Sequence, residues 1–334
     1  MRVSTATPLQ NLLTDIAGVA VGHATDLALG SGVTAVVFDR PVIASGSVLG
    51  GAPGGRDTAL LDPSMTVETV DAFVLSGGSA FGLDAAGGVQ AGLRGIGRGL
   101  SVGTTRVPIV PQAILMDLLN GGNKDWGRHS PYRDMGLQAF EAARSGNFAL
   151  GSVGAGTGAT TGTVKGGLGS ASAVTRAGHR VAALVVANAL GSALIGDGPH
   201  FWAAPFEQDR EFGGLGMPTC FDTGMRLKGV NMTATTIGIV VTDAALTKTQ
   251  AHRLSLLAHD GLARAVLPAH LPFDGDTMFG AATAEKPVRD PTELMEILHM
   301  ATLVSARAIA RGVYEATTLP FESAQAAWRD RFPG

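Results

Sequence analysis

Two threonines, Thr235 and Thr236, stand directly before Ile237-Gly238-Ile239-Val240-Val241-Thr242-Asp243. That β-branched, apolar run reads as a fully buried strand. Further along comes Asp274-Gly275-Asp276-Thr277, a tight acidic turn. A hydroxyl at the mouth of a strand is a poor nucleophile until a base takes its proton. A chain that cuts itself before a Ser or Thr supplies that base, because the freed α-amino group lies beside the hydroxyl. The arrangement is therefore a plan for a hydrolase with an N-terminal nucleophile. Without that plan, Thr235 and Thr236 are ordinary strand residues, since Thr suits a pleated surface.

Other groups compete for a chemical role. Gly77-Gly78-Ser79-Ala80-Phe81-Gly82 follows a strand and opens a helix, as the nucleophile elbow of a serine hydrolase does. That elbow needs Gly two residues after the Ser, where this chain has the bulky Phe81; a helix N-cap at Ser76 or Ser79 is the plainer reading. Gly154-Ala155-Gly156-Thr157-Gly158-Ala159 imitates a dinucleotide fingerprint. The acid that should follow to hold a ribose is missing, since no Asp or Glu occurs between Glu141 and Asp197. A glycine-lined pocket or packing loop fits better, and no cofactor is expected. Asp274 and Asp276 alone make a weak metal site. His252 and His259 are too few for one, so no metal is expected. Cys220 is the single cysteine. It excludes an internal disulfide and reads as a buried spectator thiol. Asn188 interrupts the apolar run Ala182 to Leu190. It is either a strand-end turn or an amide donor for an oxyanion, and spacing does not choose between them.

Strands and helices interleave around these groups. Strands are expected at Val33 to Phe38, Asp71 to Leu75, Val181 to Val186 and after Thr236. Helices are expected at Leu83 to Leu93, Gln112 to Leu119 and Leu137 to Ala143, with a surface loop from Trp126 to Arg133. Thr247 can cap one further helix, with Leu254, Leu257 and Leu262 on its apolar face. Asp290-Pro291-Thr292-Glu293 can start another, with Gly312 as its stop. Residues 198 to 232 show no firm periodicity. Such a stretch just upstream of Thr235 would offer exposed chain for processing.

Composition bounds the rest. The chain has 334 residues, of which 45% are hydrophobic, enough for a sizeable core. Only 16% are charged, and the formal net charge is −3. With aromatics at 5% and no basic cluster in the sequence, a nucleic-acid partner is not expected. The 47 glycines, about twice the usual share, imply many tight turns and close backbone approaches. Met1 to Thr5 has no apolar core for a secretion signal, and no run suits a membrane helix, so a cytoplasmic protein without a membrane partner is expected.

Taken in order, several segments resemble one known family. They are Gly18-Val19-Ala20-Val21-Gly22-His23, Gly50 to Asp57, Leu75 to Leu83, Val107 to Pro111, Gly154 to Thr160, Lys165 to Gly169, Thr235 to Gly238 and Phe273 to Thr277. The chain resembles the DmpA-type L-aminopeptidase/D-esterases, a family that includes β-peptidyl aminopeptidases and nylon-oligomer hydrolases. The resemblance implies a layered α/β sandwich forming one domain over residues 1–334. It implies self-cleavage into an α chain of residues 1–234 and a β chain of residues 235–334. It places the nucleophile at Thr235, the oxyanion amide at Asn188 and the acidic pair that steers the amine at Asp274 and Asp276. Lys165 matches the lysine of the family's Lys-Gly-Gly segment. Nylon-oligomer hydrolases carry a lysine nearer the position of Thr163, so Lys165 would have to substitute. The implied activity is hydrolysis of short peptides, amides or esters with a free amino end, and the implied assembly is a homotetramer.

Two positions depart from that pattern. Ala234 stands where the family usually has Asn or Gly, adding a Cβ at the bond to be cut. Met116 falls where some members have an active-site tyrosine, and Met donates no strong hydrogen bond. The alternatives are a protein of the same fold that is never cut and binds small amines, or an NAD-binding oxidoreductase using Gly154 to Ala159.

Overall fold

The computed structural model describes residues 9–229 and 234–333. The reading of Met1 to Thr5 and the end of the irregular stretch, 230–232, lie outside the described residues. In chain order the strands are β1 (Val19–Asp26), β2 (Ser31–Val48), β3 (Gly55–Arg56), β4 (Thr69–Ser76), β5 (Leu100–Val102), β6 (Thr105–Val107), β7 (Gln112–Ile114), β8 (Gly167–Val174), β9 (Arg180–Ala187), β10 (Ile237–Ala244) and β11 (Thr277–Lys286). The α-helices are α1 (Ala85–Gly95), α2 (Tyr132–Glu141), α3 (Lys248–Ala265), α4 (Pro291–Tyr314) and α5 (Trp328–Arg331).

Nine strands form one sheet in the order β3-β7-β4-β2-β11-β10-β9-β8, with β1 paired to β2 off that path. The pattern of side chains explains how it folds. In β9, Val181, Ala183 and Val185 enter a core shared with α3 and α4, whereas Ala182, Leu184 and Val186 enter a second core. Both faces of β9 are covered, so the strand is a continuous apolar run without polar alternation. In β2 and β4, Val36, Phe38, Phe73 and Leu75 join that second core, and Val33, Ala35, Ala72 and Val74 face α1 and α2. The sheet thus bends along the long strand β2 and encloses the second core between its two halves. Phe73 from one half stacks on Phe279 from the other, with ring centroids 4.5 Å apart. The helix pairs cover the outer faces, giving the layered α/β sandwich expected.

Helix starts follow their caps. The Thr247 side chain accepts from Gln250 N–H, and Asp290 accepts from Thr292 and Glu293 N–H groups. Each such cap contributes about 1 kcal/mol. Four expectations fail. Gln112–Ile114 is a strand, not a helix, because the buried Gln112 side chain bridges Gly82 and Ala86 while its backbone pairs with β3 and β4. Tyr132, assigned to a surface loop, is fully buried at the start of α2. Cys220 is exposed, within a stretch from 207 to 229 that forms no helix or strand. Gly312 does not stop α4, which runs on to Tyr314.

Gly312 is instead where α4 crosses β8. A Cβ added to its partner Gly169 would lie 1.9 Å from the Ala308 carbonyl oxygen. Neither the helix nor the strand can yield without losing backbone pairing. Gly169→Ala should therefore destabilise by about 3 kcal/mol. Thermal melting checks this, and an unshifted midpoint would show that the crossing is looser than described.

Candidate active site

The site forms where β10 begins. Its parallel pairing with β11 is extended upstream by a bridge between Ala234 and Asp274, so the acidic turn lies alongside Ala234-Thr235-Thr236. Gly275 N–H donates to the Ala234 carbonyl at 3.0 Å, and Thr277 N–H to the Thr236 carbonyl at 3.0 Å. The turn is pressed from behind by the Gly50-Gly51-Ala52 loop, whose Ala52 N–H donates to the Asp274 carbonyl at 2.8 Å. A Cβ at Gly50 would sit 2.3 Å from Asp276 N, so only glycine allows this approach.

Thr235 is buried, and its N–H donates to the Asn188 carbonyl at 3.0 Å. Its hydroxyl donates to the Ala234 carbonyl oxygen at 2.5 Å. The hydroxyl therefore rests against the peptide group that would be cut, and Gly275 N–H already polarises the same carbonyl. Thr236 makes no such contact: its N–H goes to Asp276 Oδ1 at 2.9 Å, and its hydroxyl is buried with no partner among the described residues.

Asn188 is fully buried at the end of β9. Its Oδ1 accepts from Thr160 N–H at 3.0 Å and from Lys228 Nζ at 2.7 Å, which fixes the orientation of the amide. Its Nδ2 donates to the Met116 carbonyl at 3.1 Å. An amide carries two N–H groups, so one remains for an oxyanion. Met116 thus enters the site through its backbone. Its loop is anchored by Asp117, which accepts from Ser31 Oγ at 2.6 Å and Gly78 N–H at 2.8 Å.

Both acids are 1% exposed. Asp274 accepts from Leu190 N–H at 3.0 Å and Leu271 N–H at 3.2 Å. Burial, with the Asp276 charge second, pushes Asp274 up to about 6. Asp276 also accepts from His270, through its N–H at 3.0 Å and its Nδ1 at 2.8 Å. In the uncut chain the acids thus hold the backbone around Thr235, and the Thr235 nitrogen itself is held by Asn188. Burial works against a charged His270, but the Asp276 hydrogen bond and charge outweigh it and raise its pKa above the ordinary 6.5. The folded state then holds this proton more tightly than the unfolded chain. That stability is fully present below about pH 6.5 and is lost as pH rises through the folded value. Between pH 6 and pH 8, wild type should lose more urea resistance than His270→Gln. Equal losses would show that the pair does not titrate with folding.

Lys165 is fully buried against the glycine-rich loop. Its ammonium donates to the carbonyls of Gly156 at 3.1 Å, Ala159 at 2.7 Å and Gly166 at 2.8 Å, which uses all three of its protons on the glycine-rich loop. Burial, then the Lys228 charge, pushes it down to about 7. The lysine that touches Asn188 is Lys228, which the sequence reading missed. It lies in the irregular stretch, where neither spacing nor periodicity marks it.

Two of the other motifs lack the helix start or cap expected of them. The turn at Ser79–Asp84 has no side-chain cap, so neither Ser76 nor Ser79 is an N-cap. Gly154–Gly156 is a short turn, not the start of a helix, and leaves no dinucleotide fingerprint. His252 and His259 each bond a backbone carbonyl of β2. Among the described residues no group of three or more acids, His and Cys could hold a metal. Nor among them is any helix long and apolar enough to cross a membrane.

Comparison with known proteins gives, among its matches, these five. The family model of peptidase family S58 matches residues 11–326. An uncharacterized aminopeptidase of Mycobacterium tuberculosis is 38% identical, over 97% of this chain and 98% of its own. A 6-aminohexanoate-oligomer endohydrolase of Kocuria sp. is 27% identical, over 84% of this chain and 77% of its own. Among solved structures, a Burkholderia sp. beta-aminopeptidase superposes with TM-score 0.73 at 21% identity, covering 99% of this chain and 94% of that one. The L-aminopeptidase D-Ala-esterase/amidase of Ochrobactrum anthropi, described as a variant of the Ntn-hydrolase fold, gives TM-score 0.69 at 18% identity, covering 98% and 94%. These two likenesses establish the fold.

Proposed function

The chain belongs to peptidase family S58, the DmpA family, and from that premise we propose that it is a self-processing aminopeptidase/amidase with Thr235 as nucleophile. The observation that carries this reading is the Thr235 hydroxyl at 2.5 Å from the Ala234 carbonyl oxygen. In the precursor, Oγ1 attacks the Ala234 carbonyl carbon and the Ala234–Thr235 C–N bond breaks. The Thr235 nitrogen takes the hydroxyl proton and becomes the free amine, and water then hydrolyses the resulting ester, releasing the Ala234 carboxylate and restoring the Thr235 hydroxyl. In the mature enzyme that amine takes the hydroxyl proton, Oγ1 attacks a substrate amide, and the proton passes to the leaving amine. The second Asn188 N–H stabilises the oxyanion, and water releases the acyl group.

Substrates on this reading are short peptides, amides or esters with a free amino end. The activities named for the Burkholderia and Ochrobactrum proteins support that class, and the Kocuria oligomer endohydrolase supports amide hydrolysis more broadly. Homotetrameric assembly belongs to the same proposal, and light scattering tests it.

The experiment is intact mass and N-terminal sequencing of the purified protein. The expected result is two pieces of 234 and 100 residues, the smaller beginning at Thr235, together with turnover of an aminoacyl amide. A single uncut chain that turns over the amide would overturn the reading. An uncut, inactive chain would favour the non-processed amine binder.

A further inference from the structure

We propose that Lys228 is a positioning residue of the cleaved enzyme, which orients Asn188 and places its charge so that the Thr235 α-amine stays unprotonated. The inference rests on the reading of Thr235 as nucleophile and extends it to a residue outside the expected set.

Two contacts carry it. Lys228 Nζ lies 2.7 Å from Asn188 Oδ1 and 3.4 Å from the Asn188 carbonyl oxygen. That carbonyl is the one that accepts from Thr235 N at 3.0 Å. Lys228 and the nitrogen that becomes the α-amine therefore converge on a single oxygen. The backbone holds the lysine there, because Lys228 N–H donates to the Leu190 carbonyl at 2.8 Å. Lys228 precedes the cut, so after processing it acts from the other chain.

The consequence is electrostatic. Before the cut, Thr235 N is an amide and cannot take a proton. Afterwards two amines share one acceptor, and two ammonium groups cannot both be held there at low cost. The pair then titrates as a unit. Asp274 and Asp117 face Lys228 and favour its charge, while Lys165 opposes it from the loop before β8. Burial brings Lys228 down to about 7, so the pair exchanges its proton near neutral pH. Below that pH Lys228 carries a proton, favoured by the charges of Asp274 and Asp117. The Thr235 amine, beside that new charge, stays neutral and able to accept its own hydroxyl proton. Lys228 enters none of the bonds that form or break.

The test is the kcat/KM–pH profile of wild type, Lys228→Gln and Lys228→Arg on an aminoacyl p-nitroanilide. Glutamine keeps a donor to Asn188 without the charge, and arginine keeps the charge. The acidic limb of Lys228→Gln should move up by about one pH unit, and that of Lys228→Arg should stay near wild type. A glutamine limb that coincides with wild type, or an arginine limb that moves as far as glutamine, overturns the inference. Wild type alone gives a second reading that needs no variant to fold. The pH dependence of Thr235 amine acetylation by acetic anhydride should place its pKa about a unit or more below the ordinary 7.7–8.0. An ordinary value overturns the inference. A wild-type chain that is never cut at Thr235 removes the amine and sinks this inference with the nucleophile reading. A cut chain with unmoved limbs sinks this inference alone.

Discussion

Thr235→Ala should remain one uncut chain and lose aminoacyl-amide hydrolysis by about 10⁴-fold or more. The size of the effect follows from a single oxygen serving twice. In the precursor, the hydroxyl at 2.5 Å from the Ala234 carbonyl oxygen attacks that group, which Gly275 N–H already polarises from 3.0 Å. In the mature enzyme the same hydroxyl attacks substrate. Removing it therefore removes both the maturation and the chemistry. The fold should survive, because the main contacts of Thr235 are through its backbone: its N–H to Asn188, and the flanking pairings of Ala234 and Thr236 with the acidic turn. An unshifted melting temperature checks that. Thr235→Ser supplies the control: it keeps the oxygen and drops a methyl, so it should be cut and retain measurable activity. A cut and active Thr235→Ala protein would refute the assignment. Thr236→Val should be cut normally, since the Thr236 hydroxyl is buried without a partner among the described residues.

The parts of this molecule that were legible in the sequence are those that local physics decides. The helix starts at Thr247 and Asp290 are readable because a side chain caps its own turn. The strand after Thr236 is readable because both faces of β10 are covered, which demands an unbroken apolar run. Residues answering to distant partners were not legible. Gln112 belongs to a sequence that could form a helix, and its burial against Gly82 and Ala86 makes it a strand. Gly312 has the look of a terminator until β8 is placed across it. Thr235, Asn188, Asp274 and Asp276 were recoverable as a set only through resemblance, since spacing alone left each with an ordinary alternative. Lys228 had neither signal, and only the folded chain brings it to Asn188. Lys165 shows the converse: a lysine inside a matching motif whose ammonium is spent on three loop carbonyls.

Asn188→Ala should lower kcat by about 10²–10³-fold, corresponding to the loss of one oxyanion donor. It should also destabilise the fold, and the two effects can be separated. The Asn188 oxygen is the acceptor for Thr160 N–H and Lys228 Nζ, so alanine leaves a backbone donor and an amine without their partner. An unpaired donor costs about 1–3 kcal/mol, and a stranded cation costs more. Because burial holds Lys228 down to about 7, most of the charge-related cost should appear below neutral pH and fade above it. Urea unfolding of Asn188→Ala at pH 6 and pH 8 should thus show the larger deficit at pH 6. Adding Lys228→Met removes the stranded amine and should recover much of that deficit. It cannot restore the N–H that faces the oxyanion, so the loss in kcat should persist in the double variant. If stability and kcat recovered together, Asn188 would be acting through the fold, and the stabilising donor would have to be another group, with Gly275 N–H, already on the Ala234 carbonyl, the first to test.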